Sequence, residues 1–357
     1  MTLPEPLQQV DRTWVEWRRQ TLAFFGGCDY FRLASHPKII GAAHAALDRY
    51  GFNVGASRWT TGNHELYDRL EGALRGFFQS DGALIIANGY LTNAAVLDGL
   101  QDQVSHILID ERSHGSLWDA VRGRPDVVPF KHRDAADLAA KMASTGASLV
   151  VTDGVFSHDG GLAPLNKYAK ISPSSGFLLV DDAHGAGVLG ANGRGTAEYF
   201  GIISNRVIQT ITLSKAIGSF GGAILAAPQI CAKIAEKSPS IAGATPFPLP
   251  CAAAAITGLE LLSDASLRGR LKENIARIAP ERPFPIISVF PKSDNERDRL
   301  TRRLLARGIF PSHIRYGKGP PQGYFRFAIS SEHTRAQIDA LKEALAADSD
   351  SANQRKS

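Results

Sequence analysis

The sequence predicts an α/β fold: a large domain on a mostly parallel sheet, then a small α+β domain. Two observations carry this. Short runs rich in Ile, Val and Leu alternate with helical patterns through the middle of the chain, and the texture changes after about residue 250. The runs are GALIIANG (82–89), SHILIDERSH (105–114), ASLVVTDGVFS (147–157), GFLLVDDAHG (176–185), RVIQTITLSK (206–215) and GGAILAA (221–227). Apolar stretches this short and continuous suit strands covered on both faces, as in a parallel sheet between helices. NAAVLDGLQ and DAADLAAKMAS, lying between them, fit helices, which completes the α/β alternation.

A third regularity bears on function. Most of the runs end in polar residues: Asn88, Asp110 to His114, Asp153, Asp181 to His184, and Lys215. Ligands of open α/β sheets sit beyond the carboxyl ends of the strands, so separate segments deliver chemistry to one edge.

Past residue 250, CAAAAITGLELLSDASLRGRLKENIARI reads as one long helix and FPIISVF as a strand. SDNERDRLTRRLLARG is a capped helix: Ser293 and Glu296 form a capping box, Leu300, Leu304 and Leu305 share a face, and Gly308 stops it. GYFRFAIS alternates as a strand and TRAQIDALKEALAA is a final helix. The expected division is an N-terminal segment (1–44), a major domain (45–262), a small domain (263–348) and a polar, disordered tail (349–357).

The 357 residues are 44% hydrophobic and 21% charged, an ordinary globular composition. The net charge of +5 is spread along the chain without a basic block, which excludes a nucleic-acid arm and is compatible with anionic small molecules. Cys28, Cys231 and Cys251 are odd in number and in no CxxC spacing, which speaks against a disulfide scaffold or zinc site and for a reducing compartment. The first twenty residues contain acidic groups and no apolar core, so no signal peptide is expected. No run of about 18 apolar residues exists, so no membrane span is expected, and the expected location is the cytoplasm.

Lys215 lies in TITLSKAIGSFGG (210–222), where no charged neighbour stands within six residues on either side. A snorkelling lysine is one reading. A P-loop is excluded, because GxxxxGK[ST] is absent. The third reading is a Schiff-base lysine, whose amine must be partly neutral to attack an aldehyde and is kept so by uncharged surroundings. Asp181 and Asp182 follow a buried strand, with His184 close behind in a glycine-rich loop. Such an aspartate is either a turn residue or a partner for a protonated heteroaromatic ring nitrogen, which makes the ring a better electron sink. A metal at Asp181 and His184 needs a third ligand that no spacing supplies, so none is expected. Asn88-Gly89-Tyr90 opens a helix after a strand, either an ordinary turn or a phosphate cradle. His114, with Ser113 and Ser116 near, is either a capping histidine or a ring that stacks on a flat cofactor.

Taken jointly and in chain order, GNHELYDRLE, NGY, DERSHGSLWDA, TDGVFSHDGGLAPL, VDDAHGAGVLGANGRGTAEYFG, TLSKAIGSFGG and FRFAISSEHT are far more specific. The chain resembles the α-oxoamine synthases, pyridoxal-phosphate (PLP) enzymes that condense an amino acid with an acyl thioester and lose CO₂. The resemblance spans roughly residues 22–345. It implies the fold-type I architecture of aspartate aminotransferase, PLP as cofactor and a homodimer. It implies that Lys215 bonds the cofactor and later moves the proton, that Asp181 pairs with the ring nitrogen and His184 with the 3-oxygen, and that His114 stacks on the ring. Gly89, Tyr90 and Thr212 would contact the phosphate, with Thr245 reaching it from the partner subunit. Ser157 would lie near the cofactor. Arg326 would clamp the substrate carboxylate, near Cys28. Within the family, ASRWTTGNHELYDRLE is most similar to the 8-amino-7-oxononanoate synthases, which use L-alanine and a pimeloyl thioester of CoA or a carrier protein. The departures are a short segment before LAFFGGCDYFRL, Cys28 where Asn is usual, IRYGKGPPQGY in place of the usual loop, and a shortened stretch around 277–290. All bear on substrate or acyl recognition. Glycine- or serine-using relatives and a fold-type I aminotransferase are the alternatives.

Overall fold

The computed structural model describes residues 4–173, 175–316 and 320–353, with side chains up to residue 346. In chain order, an antiparallel ribbon of β1 (Gln8–Asp11), β2 (Trp14–Trp17) and β3 (Gln20–Ala23) comes first. Helices α1 (Pro37–Tyr50) and α2 (Glu65–Phe78) follow. Then come β4 (Gly82–Ile86), α3 (Leu91–Leu100), β5 (Ile107–Asp110), α4 (Gly115–Ala120), β6 (Val127–Phe130), α5 (Ala135–Thr145) and β7 (Leu149–Asp153). Next are α6 (Leu165–Ile171), β8 (Phe177–Asp181), α7 (Thr196–Tyr199), β9 (Val207–Thr212) and β10 (Gly222–Ala226). The remaining elements are α8 (Pro228–Lys237), α9 (Pro239–Ala242), α10 (Leu249–Leu262), α11 (Ala265–Ile278), β11 (Ile286–Val289), α12 (Asp294–Ala306), β12 (His313–Ile314), β13 (Tyr324–Ala328) and α13 (Arg335–Asn353).

The chain divides into two compact units: one holds His36–Ser157 and Gly161–Ala265, the other holds the residues up to Ser35, His158–Gly160 and those from Ser266 on. In the first, seven strands form a sheet in the order β4-β10-β9-β8-β7-β5-β6. β9, β8, β7, β5 and β6 are parallel, and β10 runs antiparallel to both β9 and β4. All six apolar runs of the sequence are therefore strands, and every residue of β5, β7 and β10 is buried. One face packs Leu84, Ile109, Val151 and Ile224 with Val96 and Leu100 of α3; the other packs Leu108, Val150 and Val180 with Leu138 and Tyr168. Helices α3 and α8 approach closely at Gly99, where a Cβ would stand 2.5 Å from Ile234 Cγ1.

In the second unit β11, β13 and β12 form an antiparallel sheet. The N-terminal ribbon belongs with it: Ala23 bridges Ile309, and the Ala23 N–H donates to the Gly308 carbonyl at 2.7 Å. Ser293 caps α12 by accepting from the Glu296 N–H, while the Glu296 carboxylate turns to the Lys292 N–H at 2.8 Å. Gly308, with φ 66°, ends that helix.

Two expectations are corrected, and one strand is added. The single helix over 251–278 is two, α10 and α11, because the Ser263 hydroxyl returns to the Leu259 carbonyl (3.0 Å) and the Asp264 N–H takes the tighter bond to Leu261. An edge strand, β6, stands in the segment VVPF, where no strand was expected. The tail is helical as far as Asn353, and residues 354–357 lie outside those described, as do 317–319 of the IRYGKGPPQGY loop. Among the described residues no helix is long and apolar enough to cross a membrane.

Candidate active site

Parallel strands place their carboxyl ends on one edge of the sheet, and Asp181 and Thr212 end strands there while Gly89, His114, His184 and Lys215 follow within a few residues of strand ends. Lys215 is the third residue after β9. Its turn is closed by the Leu213 N–H on the Gly221 carbonyl (2.9 Å) and the Ser219 N–H on the Leu213 carbonyl (2.8 Å). The turn seats on α10 only because residue 258 is glycine, where a Cβ would stand 2.2 Å from the Ile217 carbonyl oxygen. Half-buried there, Lys215 holds its Nζ 3.0 Å from His184 Nε2. One proton serves this contact: an ammonium donates to a neutral ring, or a ring N–H donates to a neutral amine.

Asp181 ends β8 and is 7% exposed. Its Oδ2 accepts the Asn93 amide at 2.7 Å and the Ser116 hydroxyl at 3.4 Å, and its Oδ1 accepts the Ala183 N–H at 3.1 Å. Asn93, fully buried on α3, also accepts the Thr210 hydroxyl (2.7 Å). Four elements therefore fix one carboxylate. Sequence reasoning missed Asn93.

Sheet register sets Asp153 beside Asp181, and Asp181 beside Thr210. Asp153 accepts the His114 N–H at 2.8 Å. Burial first, and then the Asp181 charge, push its carboxyl well above the usual range, so it keeps its proton to higher pH than a free carboxylate. His114 caps α4, its Nδ1 2.8 Å from the Ser116 hydroxyl, and the residue is exposed. Loss of water at its inner edge lowers its pKa; Asp181 opposes that shift and Lys215 adds to it.

Thr212 ends β9 with its Oγ1 2.7 Å from Ser214 Oγ. Gly89 lies against it: a Cβ at residue 89 would stand 2.6 Å from Thr212 Cβ and 2.8 Å from its Oγ1. That close approach requires a glycine at residue 89, at the turn expected to hold the cofactor phosphate. Gly89→Ala is expected to weaken PLP retention roughly tenfold or more, about 1.4 kcal/mol, read as bound cofactor after gel filtration. Undiminished retention would remove the 88–90 turn from the cofactor site. Tyr90 meets His114 edge-on at 6.0 Å and its hydroxyl donates to Asp119.

Ser157 follows the Val155–Leu162 bridge after β7. Thr245 is exposed in the loop between α9 and α10. Asp110, at another strand end, is structural: it accepts the Arg112 and Arg133 N–H groups and pairs with His132 at 2.8 Å. Arg326 and Cys28 belong to the other unit, where Arg326 Nη2 stands 3.7 Å from Cys28 Sγ.

Comparison with known proteins follows the same line. The aminotransferase class I and II family matches residues 28–345. The 8-amino-7-oxononanoate synthase of Thioalkalivibrio sulfidiphilus is 34% identical over 345 residues, which is 92% of this chain and 88% of that protein. A serine palmitoyltransferase from S. paucimobilis, solved with bound PLP-myriocin aldimine, superposes with a TM-score of 0.88 at 25% identity, over 95% of this chain and 90% of that one. The 8-amino-7-oxononanoate synthase structure from Francisella tularensis gives 0.79 at 27% identity, over 94% and 99%.

Proposed function

Because this chain belongs to the class I and II aminotransferase family, and within it is a PLP-dependent acyltransferase of the α-oxoamine synthase group, we propose that it condenses L-alanine with a pimeloyl thioester. The products are an α-oxoamine, CO₂ and the free thiol. The observation that carries the reading is the 3.0 Å contact of Lys215 with His184, beside an Asp181 carboxylate held from several elements.

PLP, when bound, supplies the electron sink that lets carbanions form at the amino-acid carbon. The chain's residues supply the rest. Asp181 is an acceptor for a protonated ring nitrogen, fixed by Asn93 and Ser116 so that it need not reorganise. The open ring of His114 offers a stacking face. Gly89, Tyr90 and Thr212 hold the phosphate, and Ser157 sits near the cofactor with His184. Lys215 removes the α-proton and returns it after CO₂ is lost, with His184 in hydrogen-bond reach of its amine. Arg326 takes the substrate carboxylate, a bidentate task that suits guanidinium, with Cys28 beside it. In a homodimer Thr245 of each chain completes the other's phosphate site.

Incubation with alanine and acyl thioesters of CoA and carrier protein tests the reaction. The expected products are stoichiometric CO₂ and free thiol. A keto acid without CO₂ would establish a transaminase instead.

A further inference from the structure

Asp182 follows the carboxylate of the cofactor site, and no part of the reaction just described uses it. Its side chain is fully buried. Around it the chain makes a long glycine-rich excursion, residues 183–195, that carries His184 and then returns. The carboxylate closes that excursion. Its Oδ2 accepts the Thr196 N–H at 2.7 Å and the Gln209 amide at 2.7 Å, and its Oδ1 takes the Thr196 hydroxyl. The Gln209 amide also donates to the Arg194 carbonyl at 2.8 Å. One side chain thus ties the start of the excursion, its end, and the strand β9 that leads to Lys215.

Glycines leave room for this carboxylate. A Cβ at Gly185 would stand 2.0 Å from Asp182 Oδ1, one at Gly195 2.0 Å from Oδ2, and one at Gly154 2.6 Å from Oδ1. Within the excursion the Gly187 N–H bonds the Gly193 carbonyl (2.8 Å) and the Gly195 N–H the Leu189 carbonyl (2.9 Å). Gly187, with φ 82°, seats against Ala216, the residue after Lys215, where a Cβ would stand 2.8 Å from the Ala216 Cβ. The clamped loop and the lysine turn therefore meet directly.

We propose that Asp182 is a positioning residue: by accepting from Thr196 and Gln209 it fixes the 183–195 excursion so that His184 meets Lys215. A buried carboxylate without a cation is a costly way to close a loop, and burial pushes its pKa up to about 6 against the hydrogen bonds from Thr196 and Gln209. An amide there would accept from the Thr196 and Gln209 N–H groups through its oxygen, while its NH₂ would turn the Thr196 hydroxyl from donor to acceptor. Only a carboxylate accepts all three.

The inference rests on Lys215 being the cofactor lysine, and the test separates the two. Holoenzyme of the wild type, Asp182→Asn, Thr196→Val and Thr196→Ser is compared by three readouts. These are borohydride-trapped PLP on Lys215, the pH midpoint of the visible cofactor absorption, and kcat against KM. Thr196→Val removes one hydrogen bond at constant volume, which keeps the test valid should Asp182→Asn fail to fold. Thr196→Val is expected to move the spectral midpoint by more than about half a pH unit and to lower kcat up to roughly 10²-fold, the cost of an ångström-scale misplacement, with KM little changed. Thr196→Ser is expected to restore both. If Thr196→Val and Asp182→Asn keep the wild-type midpoint and kcat and lose only thermal stability, Asp182 is structural and the inference is overturned. If the wild type traps no PLP on Lys215, the lysine assignment fails first.

Discussion

Replacing Lys215 by alanine is expected to abolish covalent capture of PLP and to lower turnover by at least roughly 10³-fold, while the fold stands. The size follows from the two tasks proposed for the lysine, as the amine that bonds the aldehyde and as the group that moves the α-proton. Both pass through one Nζ, 3.0 Å from His184 Nε2. Lys215→Arg keeps a cation there and cannot form the bond, so it separates charge from chemistry. If charge alone mattered, arginine would restore turnover; the expected result is that it does not. Lys215 is half-buried at the end of a strand rather than in either core cluster, so both variants should unfold within about 1 kcal/mol of the wild type. Mass spectrometry after borohydride reduction checks the assignment: PLP on a different lysine would overturn it.

The site was legible to the extent that its residues follow strands. A strand buried on both faces writes a continuous apolar run, and the polar residue that ends it stands out; Asp153, Asp181 and Lys215 were all visible this way. Asn93 was not. It sits on a helix whose residues are nearly all buried, so no amphipathic pattern marks it. Its partners Asp181 and Thr210 lie 88 and 117 residues away. Only the fold joins them. The edge strand β6 was hidden by Pro129, a breaker in most strands that an edge tolerates because one side of the backbone needs no partner. Arg326 and Cys28 were named from resemblance alone, and their 3.7 Å contact ties the unusual cysteine to the expected carboxylate clamp. Thr245 differs in kind, because its assigned role needs a second copy of the chain.

Acid is expected to unfold the C-terminal unit through His333. This histidine is 4% exposed and stacks on Phe25 at 4.0 Å. Its Nδ1 accepts the Ser330 N–H at 2.9 Å and its Nε2–H donates to the Phe24 carbonyl at 3.1 Å. Both nitrogens are therefore committed to a neutral ring, and a proton on Nδ1 would face the Ser330 N–H. Burial first, and then the Arg32 charge, lower the pKa to about 3, with the Phe24 bond opposing. The unfolded chain takes this proton near the ordinary value of about 6.5, and the folded chain only near 3. Stability from His333 is complete above the first value and is lost as pH falls through that window, at about 1.4 kcal/mol per pH unit. His333→Gln offers an acceptor and a donor in similar places without a titrating group. It is expected to unfold at lower urea than the wild type at pH 7, through lost stacking on Phe25, yet to lose less between pH 6.5 and 4. Urea midpoints across that range decide it: parallel curves for wild type and His333→Gln would mean that the acid sensitivity lies elsewhere.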